Sequence, residues 1–309
     1  MSDRFCANCV AFCFTACKVV AWMMIEILAL ISALFYGSAD FFGGLTARRA
    51  NTIATVVVSQ FVGLVLLAAA LPFLPTAVVS PRDWLWGVSA GVFGGAGVAL
   101  LYRALAIGTM AVVAPITAVI SAIIPVLFGF AIGERVGWLT ATGILLALIA
   151  IVLVSQQPAA PGNREIRAGR LPPGVLLALV SGVAVGIFLL SLARTTSSSG
   201  MWPLVVARLT SVTLFALASL VMGKTLRMQR PAAITAATGG ALDMLANVLM
   251  MVAARVGPLS IVVTLVSLYP AGTVVLARFV LGERLSFVQN VGIVCALVAV
   301  ILIVGTAGS

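Results

Sequence analysis

Histidine is absent from this 309-residue chain, and charged residues make up only 8% of it. The first absence excludes Ser–His–Asp triads, HExxH metal sites and imidazole acid–base chemistry. The second excludes an ordinary water-facing surface, because soluble domains carry about 25% charged residues. Acidic groups are the scarcer kind, eight against eighteen basic ones, and the formal net charge is +10. In a soluble protein that excess would point to nucleic acid. Here the basic residues stand singly or in small groups at the ends of apolar runs, as loop charges and membrane anchors do. No nucleic-acid partner is expected. Hydrophobic residues are what the chain has in excess, at 62%. Lipid is therefore its solvent, and it is an integral membrane protein.

Cysteine is also sparse. Four of the five fall at Cys6, Cys9, Cys13 and Cys17, a spacing that makes one stripe on a helix. Zinc binding or lipidation there is conceivable, but the first turns of an apolar segment with no histidine make a poor metal site. No metal or cofactor is expected. Residues 1–23 are read as an N-terminal extension that the protein can do without, since "MMIEILAL" from Met23 already resembles a natural start.

A membrane-spanning helix needs about 20 mostly apolar residues. Cutting at charges, Pro and Gly gives ten such segments: 24–46, 52–74, 84–106, 109–131, 137–156, 173–193, 202–223, 233–255, 258–280 and 286–306. The longest connection, 157–172, is rich in Pro, Gly and charge and reads as a linker. The parts on either side of it, 24–156 and 173–306, repeat. Leu28-Ala29-Leu30 falls on Leu177-Ala178-Leu179, an offset of 149 residues. At that same offset Ser32 falls on Ser181, Gly37 on Gly186, Gly91 on Gly240, Gly108 on Gly257 and Gly133-Glu134-Arg135 on Gly282-Glu283-Arg284. One gap-free offset over this length is a duplication. Five helices per copy is an odd number, so the second copy enters the membrane from the opposite side. The expected fold class is an all-α integral membrane protein of ten transmembrane helices in two inverted five-helix repeats, a common plan for secondary transporters.

The stretches "AIGTMAVVAPITAVISAIIPVLFGFAIGER" and "RVGPLSIVVTLVSLYPAGTVVLARFVLGER" resemble the two EamA-type repeats of the drug/metabolite transporter superfamily. "FYGSADFFGGLTARR" in the first helix resembles the opening of one branch of that family. The resemblance runs from Met24 to Val304. It implies ten helices, both termini cytoplasmic, residence in the cell membrane and transport of small metabolites or drugs, often outward. The loop charges argue for the opposite orientation. With termini inside, the outer segments hold Arg48, Arg49, Arg164, Arg167, Arg170, Lys224, Arg227, Arg230 and Arg284, more than the inner ones.

Intramembrane polar groups are the site candidates. Asp243 shares a helix face with Thr235, Gly239 and Asn247, and Asp40 with Ser32 and Tyr36, each spaced by four. A carboxylate at such depth costs several kcal/mol, roughly, unless it is paired, wetted or protonated. Asp243 is expected to line a central cavity as a proton- or cation-facing group, oriented by Asn247. The bland alternative is a structural pair with Arg208, which lies inside its own helix. Pro115, Pro125 and Pro270 fall within helices, where each removes a backbone donor and kinks the chain. The carbonyls they leave are those of Ala111, Ser121 and Val266. Thr264, Ser267, Tyr269 and Thr273 cluster around Pro270 and join the candidates for substrate or ion binding. The Gly-Glu-Arg motifs are read as boundary markers, with glycine past a helix end. "ASLVMGKT" (218–225) matches a loosened phosphate-loop pattern but follows a membrane helix, so no nucleotide is expected.

The function expected from all this is secondary transport of a small-molecule substrate, with protons as a possible coupling partner. The rivals are a lipid-linked or head-group carrier of the same fold and an intramembrane enzyme. Lack of His, of paired acidic motifs and of a metal-ligand set argues against the enzyme. Substrate, direction, coupling ion and oligomeric state are not written in the sequence.

Overall fold

A computed structural model of the chain describes residues 2–107, 110–133, 137–154, 174–223, 225–270, 272 and 287–305. The described residues are helical apart from short connections. The helices are α1 (Ser2–Ala47), α2 (Thr52–Ala70), α3 (Pro81–Ile107), α4 (Met110–Ala131), α5 (Trp138–Val154), α6 (Val175–Ala193), α7 (Trp202–Val221), α8 (Arg230–Val256), α9 (Leu259–Val266) and α10 (Phe287–Gly305). Six of them contain stretches long and apolar enough to cross a membrane: Trp22–Ala47 of α1, Thr52–Phe73 (α2 with the short turn after it), α3, α6, α7 and α8. Shorter apolar stretches lie in α4, α5 and α10. The chain is thus a multi-pass helical membrane protein.

The helix ends follow local chemistry. Asn51 caps α2 by accepting from the N–H of Ile53 at 3.0 Å. Ser80 and Asp83 form a reciprocal box at the start of α3: Asp83 N–H donates to Ser80 Oγ, and Ser80 N–H donates to the Asp83 carboxylate. Gly133 after α4 and Gly223 after α7 have φ of +91° and +61°, the left-handed turn that ends a helix at little cost only with glycine. Helix α1 continues without interruption from the N-terminal extension into the first spanning segment. Its 46 residues make about 69 Å at 1.5 Å each, more than twice a bilayer core. Residues 22–47 suffice to span, and the rest of α1 projects beyond them.

The ninth apolar segment differs from expectation. It is not one helix over 258–280. Helix α9 stops at Val266, Ser267 and Leu268 form a turn, and the chain is helical again at Tyr269 and Pro270. The cause is local. Pro270 has no N–H to give the Val266 carbonyl. Ser267 N–H still reaches Val263 O, but Leu268 N–H bonds Leu265 O, one residue tighter. By contrast α4 runs as a single α-helix through Pro115 and Pro125. Glu134, Arg135, Thr273, Glu283, Arg284, Lys224 and the linker lie outside the described residues.

Small residues set the packing, as expected where lipid supplies no hydrophobic drive between helices. Helix α1 packs antiparallel on α8, and α3 antiparallel on α6. Gly240 of α8 lies directly against the Ser59 backbone of α2, and Gly91 of α3 against the Ala207 carbonyl of α7. Two buried hydroxyls join the first contacts: Ser32 Oγ donates to Ala246 O and Ser181 Oγ to Gly97 O, both at 2.8 Å. Gly87, Gly91 and Gly95 present one face of α3 to α7, while Gly94 and Gly97 receive Phe188 and Val185 of α6. Helices α5 and α10 pack on each other.

A candidate solute cavity between the two halves

The glycines of α3 bring it into close contact with α6 and α7, and beside these contacts a gap remains that α1, α2, α4 and α8 also line. There the structure has a cavity of about 70 Å³. It is lined by Tyr36 and Asp40 of α1, Gln60 of α2, Gly91, Gly94 and Gly95 of α3, and Ser121 of α4. From the other half come Phe188 of α6, Ala207, Arg208 and Ser211 of α7, Asp243 and Asn247 of α8, and Val266, Ser267 and Tyr269 at the helix break.

Arg208 is 5% exposed and organises the polar wall. Its Nη2 lies 2.5 Å from Asp243 Oδ2, an ion pair, and its Nη1 donates to Gln60 Oε1. A guanidinium buried in a bundle is tolerable only with such partners. The pair joins α7 to α8, and the amide brings in α2. Asn247 lies one turn beyond Asp243, but its Nδ2 donates to the Asp243 backbone carbonyl at 2.6 Å. It does not orient the carboxylate. Its Oδ1 is buried without a partner. Asp40 has no hydrogen-bond or ion-pair partner among the described residues. The Tyr36 and Tyr269 rings stand 6.5 Å apart, tilted by 59°. The hydroxyl oxygens of Tyr36, Ser211 and Ser267 are buried with no hydrogen-bond partner.

Seven of the sequence-derived candidates thus meet at one cavity: Asp243, Asn247, Asp40, Tyr36, Tyr269, Ser267 and Arg208. Thr264 does not join them. It is fully buried one turn earlier on α9, and its hydroxyl donates to Ser260 O at 2.6 Å. Neither Pro125 nor Pro270 lines the cavity, although Ser121, which occupies the position of Pro270 in the first copy, does. Gln60, Ser211 and Phe188 were missed. Gln60 was findable, because it is the one amide in the apolar run of α2. Ser211 and Phe188 carry no signal that separates them from packing residues.

Hydrogen bonds between connections tie one end of the bundle together. The Asp83 carboxylate, 1% exposed, accepts from Thr196 N–H at 2.7 Å and Thr196 Oγ1 at 2.9 Å, besides Ser80 Oγ at 2.7 Å. Val78 N–H donates to Ser198 O, and Arg255 Nη2 donates to Gly200 O. These bonds tie the α2–α3 and α6–α7 connections and the end of α8 together.

A repeated, multi-pass helical bundle with a largely apolar cavity that holds a few charged groups at the junction of its halves defines the class: a membrane protein built like a solute carrier. The chain belongs to the EamA-like transporter family, whose model matches residues 23–156 and again residues 172–305. One solved structure, described only as "Crystal structure of protein", is similar over 93% of this chain and 96% of its own, with a TM-score of 0.60 and 18% identity. That likeness is one of fold. No curated protein sequence matches the chain.

Proposed function

We propose that this protein is a secondary transporter that moves a small organic solute through the cavity between two inverted five-helix repeats. The observation that carries the reading is the cavity itself. Both halves contribute to it, it holds a charged network, and it borders an interrupted helix. Inverted-repeat transporters place their sites at the repeat interface beside discontinuous helices.

The contact geometry supports the inversion. At the 149-residue offset, Ser32 and Ala246 correspond to Ser181 and Gly97, so the two 2.8 Å hydroxyl bonds are each other's counterparts. Gly91 against Ala207 and Gly240 against Ser59 correspond to within one residue. Equivalent helices then run in opposite senses, and ten crossings put both termini on one face of the cell membrane, the cytoplasmic one by the family plan.

In this reading the Asp83–Thr196 clasp is the closed gate of the recorded conformation. The offset places Ala232 and Ala47 where its partners would be at the other end. Opening is therefore controlled differently at the two faces. Outward movement driven by proton entry is the direction we propose, with Asp243 and Asp40 as the carboxylates that can take up the proton.

The test is a metabolite and drug uptake and efflux screen in cells lacking and overproducing the protein, followed by purified protein in vesicles. A solute whose movement depends on the protein and on a pH gradient supports the reading. Protein that moves none of the solutes in either setting overturns it.

A further inference from the structure

We infer that the cavity selects a small organic cation, a protonated amine held by Asp40. This rests on the reading of the cavity as the solute site and names the class of solute.

Charge comes first. Three charged side chains among the described residues line the cavity: Asp40, Asp243 and Arg208. Arg208 is committed, one nitrogen on Asp243 and the other on Gln60. It neutralises Asp243 and has no free fork with which to grip an anion. Asp40 has no counter-charge among the described residues. The cavity therefore carries one carboxyl group that has no basic partner among the described residues and that must be either protonated or paired. An anionic solute would meet Asp40 with no guanidinium free to offset it. A cation supplies the missing partner, and an ion left alone in a low-dielectric site is what membrane proteins avoid.

The hydrogen-bonding groups agree with the charge. Asn247 is 1% exposed, and its Nδ2 is bound to a backbone carbonyl, so the atom left over is an acceptor. Ser267, also 1% exposed, and Ser211, 2% exposed, have hydroxyl oxygens without partners, and each can accept as well as donate. An ammonium is a compact cluster of donors with no acceptor. It satisfies Asp40 and such oxygens together.

The rest of the lining decides for an organic cation over a bare metal ion. A hard metal cation wants about six oxygens in a closed shell. Here most of the wall is apolar or aromatic, including Phe188, Leu189 and the tilted pair Tyr36 and Tyr269. Aromatic faces favour alkylammonium groups. Size follows from volume: a cavity of about 70 Å³ takes a solute of only a few non-hydrogen atoms.

The experiment is equilibrium binding to the purified full-length protein in detergent, using n-butylammonium and its isosteres butyrate and 1-butanol. Saturable binding of butylammonium, at least tenfold tighter than either isostere, is the expected result. Asp40→Asn should remove that preference and Asp40→Glu should retain it. The isostere comparison needs only the unaltered protein, so it stands even if Asp40→Asn does not fold. Equal binding of all three, or tighter binding of butyrate, overturns the cation assignment while leaving a solute cavity in place. Binding by none of the three also overturns it. Tight butylammonium binding without movement across vesicles keeps the cation site and overturns the transport reading.

Discussion

Ser32 and Ser181 make the same bond from opposite halves of the molecule. Each is fully buried, each donates its hydroxyl to a carbonyl of a crossing helix, and each bond measures 2.8 Å. Their partners, Ala246 and Gly97, lie on the helices that small residues bring closest to α1 and α6. Hydrogen bonds between membrane helices average about 0.6 kcal/mol and reach at most about 1.7. Ser32→Ala and Ser181→Ala should each lower stability within that range and by similar amounts. Thermal unfolding of the detergent-solubilised variants checks this. A loss in one variant only would show that the two contacts are not equivalent.

Glycine positions divide into two kinds. A methyl at Gly240 would overlap the Ser59 backbone, which has no rotamer to yield, whereas one at Gly63 would sit 3.5 Å from Met244. Gly240→Ala should cost about 1–3 kcal/mol as overpacking. Gly63→Ala should be neutral, or stabilising by up to about 1 kcal/mol through helix propensity. Unfolding midpoints of the two variants, compared side by side, decide it.

The Arg208–Asp243 pair should be asymmetric under mutation. Arg208→Gln leaves Asp243 without its counter-charge in the bundle and should cost about 3–5 kcal/mol. Adding Asp243→Asn to it should recover much of that loss. A double-mutant cycle on thermal stability measures the coupling. Asp243→Asn alone also separates two roles: a well-folded variant that has lost pH-dependent transport supports proton coupling, and one that keeps it removes Asp243 from that task.

The proposed inverted arrangement predicts the sidedness of the loops. Arg48 and Ser197 are equivalent at the 149-residue offset, and both are exposed. Single cysteines at these positions, in protein lacking its five native cysteines, should react with an impermeant maleimide from opposite faces of sealed cells. Reaction of both from one face would rule out the inversion.

The clasp at one end should behave as a unit. Asp83→Ala removes the acceptor for four hydrogen bonds, those from Ser80 N–H and Oγ and from Thr196 N–H and Oγ1. Leaving those donors unmatched should cost about 1–3 kcal/mol locally. Hydrogen exchange should accelerate at residues 77–83 and 195–200 and remain unchanged in the middle of α2 and α8. Uniform acceleration would mean that Asp83 supports the whole fold.

Much of this molecule was legible in one dimension. Apolar run length located the helices, because a bilayer imposes the same length on every crossing. The duplication could be read because glycine and Gly-Glu-Arg recur at a constant spacing. The four-residue stripes of Asp40 and Asp243 were readable because an isolated helix fixes which residues share a face. Partnership was a different matter. That Arg208 meets Asp243 and Gln60, that Asn247 turns to a backbone carbonyl, and that Asp40 has no partner among the described residues depend on which helices touch and at what height. Small-residue contacts between distant segments set those heights, and no local pattern encodes them. The same holds for Asp83: its box with Ser80 is a local motif, but its bonds to Thr196 span 113 positions of sequence. The helix break lies between the two cases. Pro270 announced a lost hydrogen bond, and only the packed structure decided that the chain would turn at Ser267 and Leu268, beside the cavity, instead of bending as one helix.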